Sequence, residues 1–111
     1  MATEAGARAV LAITSVAGEA EALVLSRTLV EEGLAACVSR GGVRSVYRWQ
    51  GRTCEEEEVL LLLKTSSEMV EALRARLLAL HPYECPEFLV FEASSADPRW
   101  LEWLLGGLRP A

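Results

Sequence analysis

Apolar and polar positions change their period along this chain, and each change marks an element. Residues 8–14 (RAVLAIT) are short, mostly apolar and bounded by Ser15 and Gly18, which predicts a buried strand. From Glu19 to Glu32 the period lengthens. Ala22, Leu25, Ser26, Leu29 and Gly33 fall at three- and four-residue steps, while Glu21, Arg27 and Glu31 lie mostly away from them. That is an amphipathic helix with a glycine stop. Leu34 to Val38 predicts a second strand, which Ser39-Arg40-Gly41-Gly42 interrupts as a bend or bulge would. Val43 to Trp49 resumes it with a two-residue alternation. Gln50-Gly51 then reverses the chain, since glycine takes the positive φ of a two-residue hairpin turn. In that register Trp49 faces Arg52 and Tyr47 faces Cys54, so two aromatics share a face with an Arg and a Cys.

The returning strand crosses Glu55 to Glu58 and enters Val59-Leu60-Leu61-Leu62-Leu63. Five successive apolar residues put apolar side chains on both faces of a sheet, where a strand wet on one side would alternate. Thr65 and Glu68 have capping-box spacing, predicting a helix from about Ser66 to Leu80 with Val70, Leu73, Leu77 and Leu80 inward. His81-Pro82 ends it. Tyr83 to Pro86 reads as a rigid linker and Glu87 to Ala93 as a last core strand. Asp97-Pro98 starts a final helix, with Trp100, Leu101, Leu104 and Leu105 facing inward before Gly106-Gly107.

The order strand, helix, strand, strand, helix, strand, helix is the α+β split βαβ arrangement of ferredoxin-like folds, with a long β2–β3 hairpin and an extra C-terminal helix. Both main helices of that fold cover one face of the sheet. The other face is apolar, and leaving it in water is costly at roughly 25 cal/mol per Å². A homo-oligomer with its sheets packed together is therefore expected. Residues 1–7 read as a disordered tail and 8–111 as a single domain.

Composition narrows the partners. The 111 residues carry a formal net charge of −5, with no cluster of Lys and Arg to track phosphates, so nucleic acid is not an expected partner. No apolar run reaches the ~20 residues of a membrane span. Cys37, Cys54 and Cys85 are odd in number and irregularly spaced, which argues for reduced thiols and a cytoplasmic location. No basic cluster precedes an apolar stretch in Met1 to Ala7, so no secretory signal is expected. No Ser-His-Asp order, P-loop or paired metal motif points to an enzyme.

Four stretches carry a more specific likeness: Leu34-Ala35-Ala36-Cys37-Val38, Ser45-Val46-Tyr47-Arg48-Trp49-Gln50-Gly51, Glu58 to Thr65, and His81-Pro82-Tyr83-Glu84 with Pro86-Glu87. In order and spacing they resemble the CutA family of divalent-cation-tolerance proteins, across nearly all of residues 9–105. The resemblance implies a ferredoxin-like subunit that assembles as a homotrimer through its sheets, with the hairpin reaching a neighbour. It implies a non-enzymatic role in tolerance of copper and other divalent cations, with no required cofactor. It also brings a likeness in fold to trimeric PII-type signalling proteins, and hence an alternative role as a small-molecule or protein-binding signalling or anchoring module. Ser39 and Arg40-Gly41-Gly42 depart from the family's usual Asn and Pro-Gly turn, and Cys85 stands where Val is usual, so Cys54 and Cys85 inherit no family role.

Cys37, in an apolar strand, reads first as a small buried hydrophobe. Its place in the motif adds the reading of a soft thiolate ligand for copper. His81, the sole histidine, is a second candidate metal ligand, set against a helix-terminal residue bonded to nearby carbonyls and an acid. Tyr47 and Trp49 read as packing residues at a subunit contact or as a stacking surface for a ligand. With Glu58, Lys64, Tyr83 and Glu87 they are the residues that the resemblance places along an inter-subunit cleft.

Overall fold

The computed structural model describes residues 7–110; the expected tail lies outside them except for Ala7, which is buried. The elements are β1 (Ala9–Val16), α1 (Glu19–Glu31), β2 (Cys37–Trp49), β3 (Arg52–Ser66), α2 (Val70–Leu80), β4 (Leu89–Glu92) and α3 (Pro98–Gly106). The strands form one antiparallel sheet in the order β2-β3-β1-β4. Strand order and element order together are those of the ferredoxin-like α+β fold, extended by α3.

Strand β3 organises the sheet. Val59, Leu61 and Leu63 are at most 5% exposed and enter the core beneath Ala22, Leu25 and Leu29 of α1 and Leu73 and Leu77 of α2. Leu60 and Leu62 point the other way and are half-buried. Across the ladders they share the bare face with Leu11 and Ile13 of β1, and with Leu89 and Phe91 of β4, 48% and 53% exposed. The five-residue apolar run is thus two-sided, with α1 and α2 both on one side.

The hairpin is as the alternation predicted. Trp49 pairs with Arg52 and Tyr47 with Cys54. Gln50 (φ 50) and Gly51 (φ 79) both take positive φ, the signature of a type I′ turn. Strand β1 pairs only with residues 59–66 of β3, so 52–58 and their partners 43–49 form an arm beyond the sheet, seven residues or about 23 Å long. It makes the molecule 49 Å long against 26 and 21 Å in the other directions.

Four expectations are corrected. No bulge interrupts β2: the register runs unbroken through Gly41 and Gly42, and Leu34 to Ala36 lie outside the strand. Thr65 caps no helix: it lies within β3, one residue before its end, and donates its hydroxyl to the Leu34 carbonyl at 2.8 Å, while a 3-10 turn over Ser67–Met69 leads into α2. The last strand is an edge strand, not a core one, and all four of its residues are exposed. Trp100 is 41% exposed, leaving Leu104 as the buried residue of α3. The Asp97 cap is present, its Oδ2 accepting from the Arg99 and Trp100 amides at 3.1 and 3.4 Å.

Gly33 (φ 73) ends the turn after α1, and its carbonyl oxygen accepts from the Arg109 amide at 3.0 Å. Arg76 of α2 grips Glu32 with two hydrogen bonds of 2.9 Å, joining the end of α1 to the middle of α2. That guanidinium holds the Glu32 carboxyl below its usual range.

Thr14 is fully buried on the helix-covered face, and its hydroxyl has no hydrogen-bond partner among the described residues. A buried hydroxyl left unpaired costs about 1–3 kcal/mol. Thr14→Val keeps the shape and removes that group, so the midpoint of chemical denaturation is expected to rise; an unchanged or lower midpoint contradicts the packing described.

Candidate functional site

The arm and the linker after α2 enclose a cleft of about 610 Å³. Its arm wall carries Ser45, Tyr47, Trp49, Glu56 and Glu58, all on the sheet face opposite the helices, because residues paired across a ladder share a face. Its linker wall carries Tyr83, Glu84, Cys85 and Glu87, and Ser15 and Ala17 at the end of β1 form its base.

His81 fixes the linker. It is 8% exposed and caps α2 with extended backbone. The Tyr83 amide donates to its Nδ1 at 3.1 Å, so Nδ1 carries no proton and Nε2–H donates to the Ser15 carbonyl at 2.8 Å. Both ring nitrogens are spent on positioning the linker, and this arrangement leaves no lone pair for a cation. Its ring also packs against that of Tyr83, with centroids 4.8 Å apart.

The phenols lock the carboxylates. Tyr83 donates to Glu58 Oε2 at 2.8 Å, which also accepts from the Ser15 hydroxyl at 3.4 Å, and Tyr47 donates to Glu56 Oε1 at 2.6 Å. Losing the proton would break each bond and bring two anions together. The bond to Glu56 therefore pushes the Tyr47 phenol up to about 12, and burial, then the bond to Glu58, push Tyr83 up as well. Both phenols are neutral donors across the physiological range.

Of the residues expected along a cleft, Tyr47, Trp49, Glu58, Tyr83 and Glu87 line this one within a single chain. Lys64 stands apart. It lies opposite Cys37 on β2, with its Nζ 2.6 Å from Ser39 Oγ and 3.7 Å from Cys37 Sγ. Ser15, next to His81, lies opposite Leu60, four residues along β3 from Lys64, or about 13 Å away. Cys37 and His81 are thus not brought together, and among the described residues no three His, Cys, Asp or Glu side chains form a group fit to hold a metal ion. Glu56, Glu84, Ser15 and Ser45 went unrecognised from sequence. The two-residue step from Glu58 to Glu56 on one strand face was the available signal for the first; the others depend on how the linker folds back.

A ferredoxin-like domain with an overlong β2–β3 arm and an acidic, aromatic cleft beside it defines the class. The sequence profile described as "CutA1 divalent ion tolerance protein" matches residues 10–106, and the chain belongs to that family. It is 41% identical over 93 residues to the divalent-cation tolerance protein CutA of Thermus thermophilus, covering 83% of this chain and 90% of that one. It is 38% identical over 102 residues to the protein of that name from Pectobacterium atrosepticum, covering 91% and 93%. The fold superposes on CutA of Synechococcus elongatus with a TM-score of 0.89 at 39% identity, covering 92% and 91% of the two chains. It superposes on CutA1 of Oryza sativa with a TM-score of 0.90 at 30% identity, covering 94% and 96%. None of these names carries an enzymatic activity. Among the described residues no helix is long and apolar enough to cross a membrane.

The phenol–carboxylate bonds set a titration. A phenol whose pKa is raised on folding adds stability that is complete below the ordinary value of 10.0 and is lost as pH rises through the folded value near 12. Tyrosinate absorbance of the folded chain is expected to show no ionisation at the ordinary pH. Glu56→Gln should bring the Tyr47 transition down towards it, and an ordinary midpoint in the unsubstituted chain would refute the two bonds.

Proposed function

We propose that this chain acts as a non-enzymatic homotrimer in the cytoplasm that binds copper and other divalent cations weakly in the response to excess metal. The observation that carries the assembly is the sheet face opposite α1 and α2, where Leu11, Ile13, Leu60, Leu62, Leu89 and Phe91 form an apolar surface of half-buried and exposed side chains. Sister sheets packed on that face remove it from water, and arms that extend about 23 Å beyond the sheet reach a neighbour. The metal role rests on membership of a family described by tolerance of divalent ions. Cys37 offers a soft, half-buried sulfur for copper(I), and a single thiol beside the Lys64 ammonium suits modest affinity. His81 contributes through the linker it holds.

A second reading is favoured by the cleft itself: a small effector bound between arm and linker, as in a signalling module. The concavity, the three aromatic rings and the fixed carboxylates are the composition of a small-molecule site.

Sedimentation equilibrium at micromolar concentration is expected to give three times the 12.1 kDa chain mass, and a monomer there would end the assembly proposal. Calorimetric titration with copper(I) is expected to show weak binding that Cys37→Ala removes; the same weak heat from both proteins would mean that Cys37 holds no ion.

A further inference from the structure

The cleft is unbalanced in charge. Glu56, Glu58, Glu84 and Glu87 all line it, and no Lys, Arg or His is among its lining residues. The ion pairs formed among the described residues lie elsewhere: Arg27 with Glu31, Arg40 with Glu19, Arg44 with Glu57, and Arg76 with Glu32. Carboxylates alone would be an ordinary solvated acidic surface. Here they stand on two facing walls of a concave space that also presents Tyr47, Trp49 and Tyr83. Within the single chain Trp49 is 42% exposed and Tyr47 37%, so both rings present surface to the cleft.

The chemistry of the walls selects the ligand. An anion meets four negative charges and no donor cation. A bare divalent ion needs several oxygens converging within about 2.0–2.6 Å of one point, and the cleft carboxylates form no such group. A volume of about 610 Å³ is also far larger than one ion requires. An organic cation with an apolar body fits each feature. Its ammonium groups donate charge-assisted hydrogen bonds to carboxylates on the two walls, and its methylenes and charge lie against aromatic faces. The Tyr47 and Tyr83 bonds hold Glu56 and Glu58 in place beforehand, so less ordering is lost on binding.

We propose that this cleft binds a small aliphatic amine, and a diamine in preference to a monoamine because acidic groups stand on both walls. The inference rests on the second reading above and names the ligand class for that cleft.

The test is calorimetric titration of the full, assembled chain with 1,4-diaminobutane, n-butylamine, calcium chloride and citrate at low salt. The expected result is one diamine per chain, tighter than the monoamine, with the binding weakened by added salt. Glu84→Gln and Glu87→Gln lie on the exposed linker and leave the sheet intact; each is expected to weaken diamine binding about tenfold, the loss of one charge-assisted contact. Glu58→Gln should act in the same direction. Diamine binding that none of the three substitutions alters would overturn the site. Calcium binding as tight as the diamine would overturn the ligand class. Citrate bound in place of the amine, and weakened by Trp49→Leu, would overturn the amine while leaving a small-effector cleft. No heat from any of the four would remove both the amine and the cleft reading.

Discussion

Pairing of β3 with its two neighbours is the constraint on which this molecule depends. It is the longest strand and is bonded along its whole length, to β2 from Arg52 to Lys64 and to β1 from Val59 to Ser66. Because side chains alternate across a strand, a single register decides two things together. It sends Val59, Leu61 and Leu63 under the helices and Leu60 and Leu62 to the bare face. It also puts Glu56 and Glu58 on the same side as Leu60, where the linker can meet them. A slip of one residue would exchange the core with the bare face and empty the cleft of its acids. The core, the bare face and the cleft are three readings of one alignment.

The linker is the second element, and it owes its form to polar contacts. His81 is held between the Ser15 carbonyl and the Tyr83 amide, and Tyr83 reaches back to Glu58. These bonds run in sequence from β1 through the histidine to β3. They place a wall of the cleft against a strand that is distant in the chain. Every member is satisfied, which is what makes a partly buried polar network rigid. The histidine is therefore a structural keystone whose effect on any ligand passes through Tyr83, Glu84 and Glu87.

Much of the fold was legible in the sequence because it follows from periodicity. The α1 face, the Gln50-Gly51 reversal, the two-sided β3 run and the Asp97 cap each depend on neighbours in the chain, and each is present. The errors fall where a distant partner outbid a local preference. Thr65 had a capping partner three residues away, yet its hydroxyl serves the Leu34 carbonyl across the structure. Gly41-Gly42 suggested a bulge, but pairing with Leu60 and Val59 carries the strand straight through. The site was half legible for the same reason. Alternation put Tyr47, Trp49 and Glu58 on one face, whereas the position of Lys64 far from them, and of Glu84 beside them, depends on how far along β3 each partner lies.

Those two glycines sit where the arm leaves the sheet, opposite the last residues that β1 supports. A methyl group built on either would meet nothing within 4 Å. The joint is consequently unbraced: at the root of a projecting lever, the outer strand offers only its backbone to resist bending. A lever jointed in this way can settle to the angle that a seat demands, so a contact made at its tip tolerates small errors that a stiff joint would turn into misalignment.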